Sequence, residues 1–286
     1  MKLQFDFARR IALRTFAALL TIAAAPVFAA SIDISTSGGD VRVHYPENVS
    51  GSCKAVVLGV GTGMSIKGYD SLLKAISGYG HLAVVIDHES GNLTKKDANR
   101  YRNLAQEVKN NMSSWLAGRG TCTEVSNWIM GGHSAGGQAA QNAIASTPGL
   151  ADAVFSIDPY DATETAHVSL PAMYWGFNLD SCFVGKEQAA AEAYRRSDSQ
   201  RAFFRVERKY SFGPCGYSPK YFHCSFCDNH CPACTNCMKT PDHFFVDVAA
   251  SVDNFLKAVF SGNWSKSALA ISGRTPVRLF VDAEMP

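Results

Sequence analysis

Apolar residues along this chain fall into two alternating patterns. Short continuous runs at 55–58 and 82–86 are rich in Val, Leu and Ile. Their length and composition predict strands buried on both faces. Between them, Leu72, Leu73 and Ile76 recur at helical spacing and predict a helix over 69–77. Residues 98–116 form a longer amphipathic pattern, and 41–45 a short alternating one. The rhythm continues with strands at 128–130, 153–157, 172–176 and 202–206, and with helices at 138–146, 187–196 and 246–260. Strands that alternate with helices specify an α/β protein with a mostly parallel central sheet, right-handed crossovers and helices on both faces.

Two stretches break the rhythm. Residues 209–241 are dense in Cys, Gly, Pro and aromatics without any period, and read as a Cys-rich insertion before the last helix. The tail, 262–286, offers one more strand, at 277–281. Neither repeats nor low-complexity linkers divide the chain, so 30–286 is expected to fold as a single domain.

The first 29 residues read differently. Lys2, Arg9, Arg10 and Arg14 precede an apolar run from Thr15 to Val27, closed by Val27-Phe28-Ala29. This is the pattern of a secretory signal peptide. The apolar run is shorter than the ~20 residues of a membrane span, and no later stretch reaches that length, so no stable membrane insertion is expected. Export to the periplasm or the extracellular space follows. Without the leader the chain carries 23 basic and 24 acidic residues, a net charge of −1. A nucleic-acid partner would call for a strong basic excess.

The central chemical signal is Gly131-Gly132-His133-Ser134-Ala135-Gly136-Gly137, which contains G-x-S-x-G between a predicted strand and a predicted helix. There the serine stands on a sharp turn that lifts its hydroxyl above the sheet. The side chain of His133 is expected to point away from that hydroxyl. A serine needs a base and an orienting acid to become nucleophilic, and around such an elbow the chain order is Ser, acid, His. Asp158 and Asp180 both follow predicted strands and both qualify as the acid. Among the later histidines, His243 stands just before the last helix and is the expected base. The oxyanion formed in acyl transfer requires backbone N–H donors. Ala135 supplies one, and the glycine-rich loop 59–64 supplies the other, from Thr62, or else from Gly63 or Met64.

From 41 to about 208 the chain resembles the secreted bacterial cutinases and polyester hydrolases, and more loosely the dienelactone hydrolases and chlorophyllases. The resemblance rests on Ala55-Val56-Val57-Leu58 through Gly61 to Val85-Ile86-Asp87, on Gly132-His133-Ser134-Ala135-Gly136-Gly137, on Thr147-Pro148-Gly149-Leu150 and on Gly176-Phe177-Asn178-Leu179-Asp180. It implies the α/β-hydrolase fold and favours Asp180 as the acid, whereas the likeness to chlorophyllases around Ile157-Asp158-Pro159 keeps Asp158 as the alternative. Met64 and Tyr160 are assigned to the substrate cleft. The chain departs from cutinases at Thr62, where they carry an aromatic residue, and at Tyr160, near the position of a Trp. The insertion has no cutinase counterpart and is expected to wall the cleft.

The fold implied by the resemblance sets the strands that follow Cys53 and Cys122 side by side, and so predicts a disulfide between them. Seven more cysteines remain: Cys182, Cys215, Cys224, Cys227, Cys231, Cys234 and Cys237. An oxidising compartment favours disulfides among them over a metal site, and their odd number leaves one over for a free thiol or an intermolecular bridge. Together these readings predict an exported serine hydrolase that cleaves small, lipidic or polymeric carboxylic esters without a cofactor or metal. Rival readings are amide hydrolysis or acyl transfer on the same triad, and a metal- or partner-binding protein that uses the Cys-rich segment.

Overall fold

The computed structural model describes residues 29–88, 97–161, 164–177, 189–207, 221, 223–228 and 240–282. Residues 1–28 lie outside them, as do Asp180 and most of the Cys-rich segment. Nine strands form one sheet: β1 (Ala29–Ser35), β2 (Asp40–Pro46), β3 (Ser52–Gly59), β4 (Leu82–Asp87), β5 (Glu124–His133), β6 (Ala153–Ile157), β7 (Ala172–Phe177), β8 (Arg201–Val206) and β9 (Val277–Asp282). Their order is β1-β2-β4-β3-β5-β6-β7-β8-β9. The six strands from β4 to β8 are mutually parallel, and β1, β2 and β9 pair antiparallel at the two edges. The protein is therefore α/β with a mostly parallel sheet, as the alternation of elements requires.

The helices are α1 (Asp70–Ser77), α2 (Ala98–Leu116), α3 (Ala135–Ser146), α4 (Ala189–Arg195), α5 (Asp242–Ser261) and the short α6 (Lys266–Leu269). The pleat sends successive side chains to opposite faces, and this divides the apolar runs between two cores. Val56, Leu58, Ala83, Val85 and Ile129 join α1 and α5 on one face. Ala55, Val57, Leu82, Val84, Ile86 and Met130 join α2, α3 and α4 on the other. Strands read as uninterrupted apolar runs because both of their faces are covered. The strand predicted at 277–281 is β9, at the edge beside β8. β1 was not apparent from the sequence. Its alternating residues are only partly buried at the opposite edge, where hydrophobic continuity gives little signal.

Cys53 and Cys122 form the expected disulfide, with Cα atoms 5.8 Å apart. They lie where β3 and β5 begin, the opposite end of these strands from the turn that follows β5. No helix among the described residues is long and apolar enough to cross a membrane.

Candidate active site

The parallel strands deliver their C-terminal ends to one edge of the sheet. Register puts His133 of β5 opposite Ile157 of β6, and Ile157 opposite Trp175 of β7. The next residues, Ser134, Asp158 and Gly176, therefore emerge side by side. Ser134 joins β5 to α3 with φ 55° and ψ −125°. Asp158 also has a positive φ, of 40°. Asn48 is the remaining non-glycine residue of positive φ among those described, and it stands in a turn. Such conformations are costly for residues with a side chain and gather at functional sites. Backbone bonds hold both strained residues. The Ser134 N–H donates to the Ile157 carbonyl, the Asp158 N–H to the Trp175 carbonyl, and the Tyr160 N–H to the Ser134 carbonyl.

Glycine makes the bend sterically feasible. A Cβ on Gly136 would fall 2.4 Å from the Gly59 oxygen, and one on Gly132 would fall 2.5 Å from the Gly136 carbonyl carbon. Behind the bend, Tyr101 of α2 is fully buried and donates its hydroxyl to the Gly131 carbonyl at 2.9 Å. Burial pushes the Tyr101 phenol up from its ordinary value, so it remains a donor.

The loop after β3 leans over the serine. A Cβ on Gly61 would approach the Ser134 Cβ to 3.2 Å. Besides the Val60 N–H, which donates to the Ile86 carbonyl, two of the loop's N–H groups are committed, Gly61 to the Tyr69 hydroxyl and Met64 to the Gly61 carbonyl. Thr62 and Gly63 lie between them, both half-buried. Ala135 opens α3, so its N–H is among those without an intrahelical acceptor. The Met64 side chain is buried in the core beneath the loop, and Tyr160 is half-buried beside Ser134.

The imidazole that meets a carboxylate here belongs to His223. Its Nδ1 donates to Asp158 Oδ2 at 2.7 Å. In the neutral ring the lone pair is then on Nε2. His223 opens a short 3₁₀ turn, His223–Phe226, in the described part of the Cys-rich segment. Phe226 anchors that turn among Trp175, Phe177 and Phe244. Asp228 anchors it again, accepting the Ser71 N–H at the start of α1 and donating its own N–H to the Gly68 carbonyl.

His243, the base expected from chain order, is bonded instead to the Tyr221 hydroxyl through Nε2 at 2.7 Å. Chain order selects any histidine after the acid, and His223, which precedes His243 in the chain, is the one bonded to a carboxylate at this edge. Asp180, the favoured acid, lies outside the described residues, and it is Asp158 that holds an imidazole. The sequence signal for Asp158 was its place at a strand end before Pro159. His223 carried no signal beyond its position among the cysteines. His133 closes β5, directly before Ser134. Its ring is buried, bonded to Tyr69, and 4.5 Å from the His223 ring between centroids. Burial, together with the neighbouring His223, holds its pKa well below the ordinary value, so the ring is neutral.

The Ser134 hydroxyl is buried and has no hydrogen-bond partner among the described residues. No three His, Cys, Asp or Glu side chains among the described residues are placed to hold a metal ion. Cys182, Cys215, Cys231, Cys234 and Cys237 are outside that set, as is the Cys224 side chain. Cys227 is buried with its Sγ 3.5 Å from His133 Nδ1. Comparison of the sequence with models of known protein families and with curated proteins finds no match.

Proposed function

We propose that this chain is an exported serine hydrolase of the α/β-hydrolase fold that cleaves carboxylic esters with Ser134, His223 and Asp158. One observation carries the reading: a serine in a strained conformation on a strand–helix bend, at the same sheet edge as an Asp158–His223 pair. The Asp158 carboxylate fixes the Nδ1–H tautomer, leaving Nε2 to take the serine proton. Ser134 Oγ attacks the ester carbonyl carbon, and the proton passes through His223 to the departing alkoxide. Water, deprotonated by the same imidazole, then releases the acid from the acyl-enzyme. Ala135 N–H and an N–H from Thr62 or Gly63 stabilise the oxyanion of both tetrahedral intermediates.

The mechanism requires a His223 Nε2–Ser134 Oγ hydrogen bond in the substrate complex. Such bonds commonly tighten only when substrate is bound. Labelling with a fluorophosphonate probe tests the reading. The full-length exported protein is expected to label stoichiometrically at Ser134, and Ser134→Ala to lose both label and ester hydrolysis. Absence of label on the wild-type protein would overturn it.

A further inference from the structure

His133 belongs to a buried hydrogen-bond chain that the hydrolytic mechanism leaves unused. The carbonyl of His223 can only accept, so the 2.9 Å contact from His133 Nε2 is an N–H donation. The neutral ring therefore accepts at Nδ1, and the Tyr69 hydroxyl, 2.9 Å away, is the donor there. The Tyr69 oxygen in turn accepts the Gly61 N–H at 2.9 Å. The chain runs from Gly61 through Tyr69 and His133 to His223, and every member is buried. It links the loop over Ser134 to the turn that carries the base, across 64 residues at one contact and 90 at another.

We infer that His133 is a positioning residue that holds the His223 turn and the loop after β3 in mutual register. The inference rests on the hydrolase reading above. The need for it is structural. The His223 turn belongs to no strand or long helix, so no ladder of backbone bonds fixes it. Asp158 orients the ring of His223, Phe226 and Asp228 anchor the far end of the turn, and His133 holds the backbone of His223 itself. The His223 carbonyl requires the ring proton on Nε2, and the neutral ring then accepts at Nδ1, so the contacts at the two ends of the ring select one tautomer. A side chain on Gly61 would crowd His133 Nδ1 at 3.0 Å, so the loop sits close enough to feel any shift of the ring.

The test compares His133→Leu, His133→Gln and Tyr69→Phe in the full-length protein, by ester hydrolysis, fluorophosphonate labelling rate and thermal melting. His133→Leu removes both bonds, together with the Cys227 Sγ contact at Nδ1, and is expected to lower kcat and labelling rate by about 10- to 100-fold, the range for one buried hydrogen bond left unmade, with KM changed less than about 3-fold. The amide of His133→Gln can donate to the same carbonyl and is expected to recover most of that loss. Tyr69→Phe is expected to lower kcat about 10-fold, and the double variant Tyr69→Phe/His133→Leu to fall short of the product of the single losses. Wild-type kcat in His133→Leu, or a Gln variant no better than Leu, would overturn the inference. Should His133→Leu fail to fold, Tyr69→Phe and His133→Gln decide it: wild-type kcat in the former, or a labelling rate in the latter lowered more than 10-fold, overturns the role. A wild-type protein that does not label at Ser134 sinks the hydrolase reading. A labelled wild type with unaffected variants sinks this inference alone.

Discussion

Replacing Asp158 by Asn keeps the shape of the site while removing one charge. The carboxylate is bonded to His223 Nδ1 at 2.7 Å, and the two side chains are 16% and 2% exposed. Water therefore screens the pair weakly. As the imidazole takes the serine proton it becomes cationic, and a cation and anion about 4 Å apart at an effective dielectric near 20 attract by about 4 kcal/mol. One decade of rate corresponds to about 1.4 kcal/mol, so losing the charge slows acylation by about 10³-fold. The amide adds a second penalty. Its NH2 group can donate to Nδ1 and drive the ring proton to Nε2, where it blocks the base, which brings the expected loss in kcat to about 10³–10⁴-fold. Steady-state hydrolysis of a small chromogenic ester measures this, with KM expected to change only a few-fold. Asp180→Asn, assayed in parallel, is expected to stay within a few-fold of wild type. Retention of more than a tenth of wild-type kcat by Asp158→Asn, or a thousandfold loss in Asp180→Asn, would refute the reasoning.

The remaining predictions concern stability. The Cys53–Cys122 bridge closes a loop across 69 residues of sequence, which in the chain-entropy picture stabilises the fold by about 4 kcal/mol at 25 °C. Cys53→Ser/Cys122→Ser should lower the denaturant midpoint accordingly while sparing the sheet edge that carries Ser134, and an unchanged midpoint would contradict this. Burial holds His44 below its ordinary pKa, as it does His133. The unfolded chain thus takes up protons that the native state refuses. Stability from these groups is complete above about pH 6.5 and is lost as pH falls from there toward the folded pKa values. Thermal melting across pH 7.5 to 5 should show that decline, and His133→Gln should make it shallower.

Much of the fold is legible in the sequence because the parallel strands bury both faces. Residues 55–58 and 82–86 have no polar positions to confuse their period, and β3 and β4 follow. The bend at Ser134 is equally local: a strand, two glycines that the Gly136 and Gly59 backbones leave no room to replace, and a small-residue helix. The residues proposed to act with Ser134 are not local. Sheet register brings Asp158 to the edge beside Ser134, but register is a property of paired strands and cannot be read from one of them. His223 arrives by a turn without periodicity, held by Phe226 packing and by an Asp228 bond 157 residues distant. His243 stands where a simple loop would deliver the base, which is why chain order points to it.

The identity of the general base tests the account most directly. His223→Ala and His243→Ala should be compared by pre-steady-state acylation with a chromogenic ester, alongside circular dichroism to establish folding. His223→Ala is expected to lower the acylation rate by at least about 10⁴-fold, whereas His243→Ala, which loses its bond to Tyr221, is expected to remain within about 10-fold of wild type. The reverse pattern, a folded His223→Ala protein that acylates normally beside an inactive His243→Ala, would contradict it.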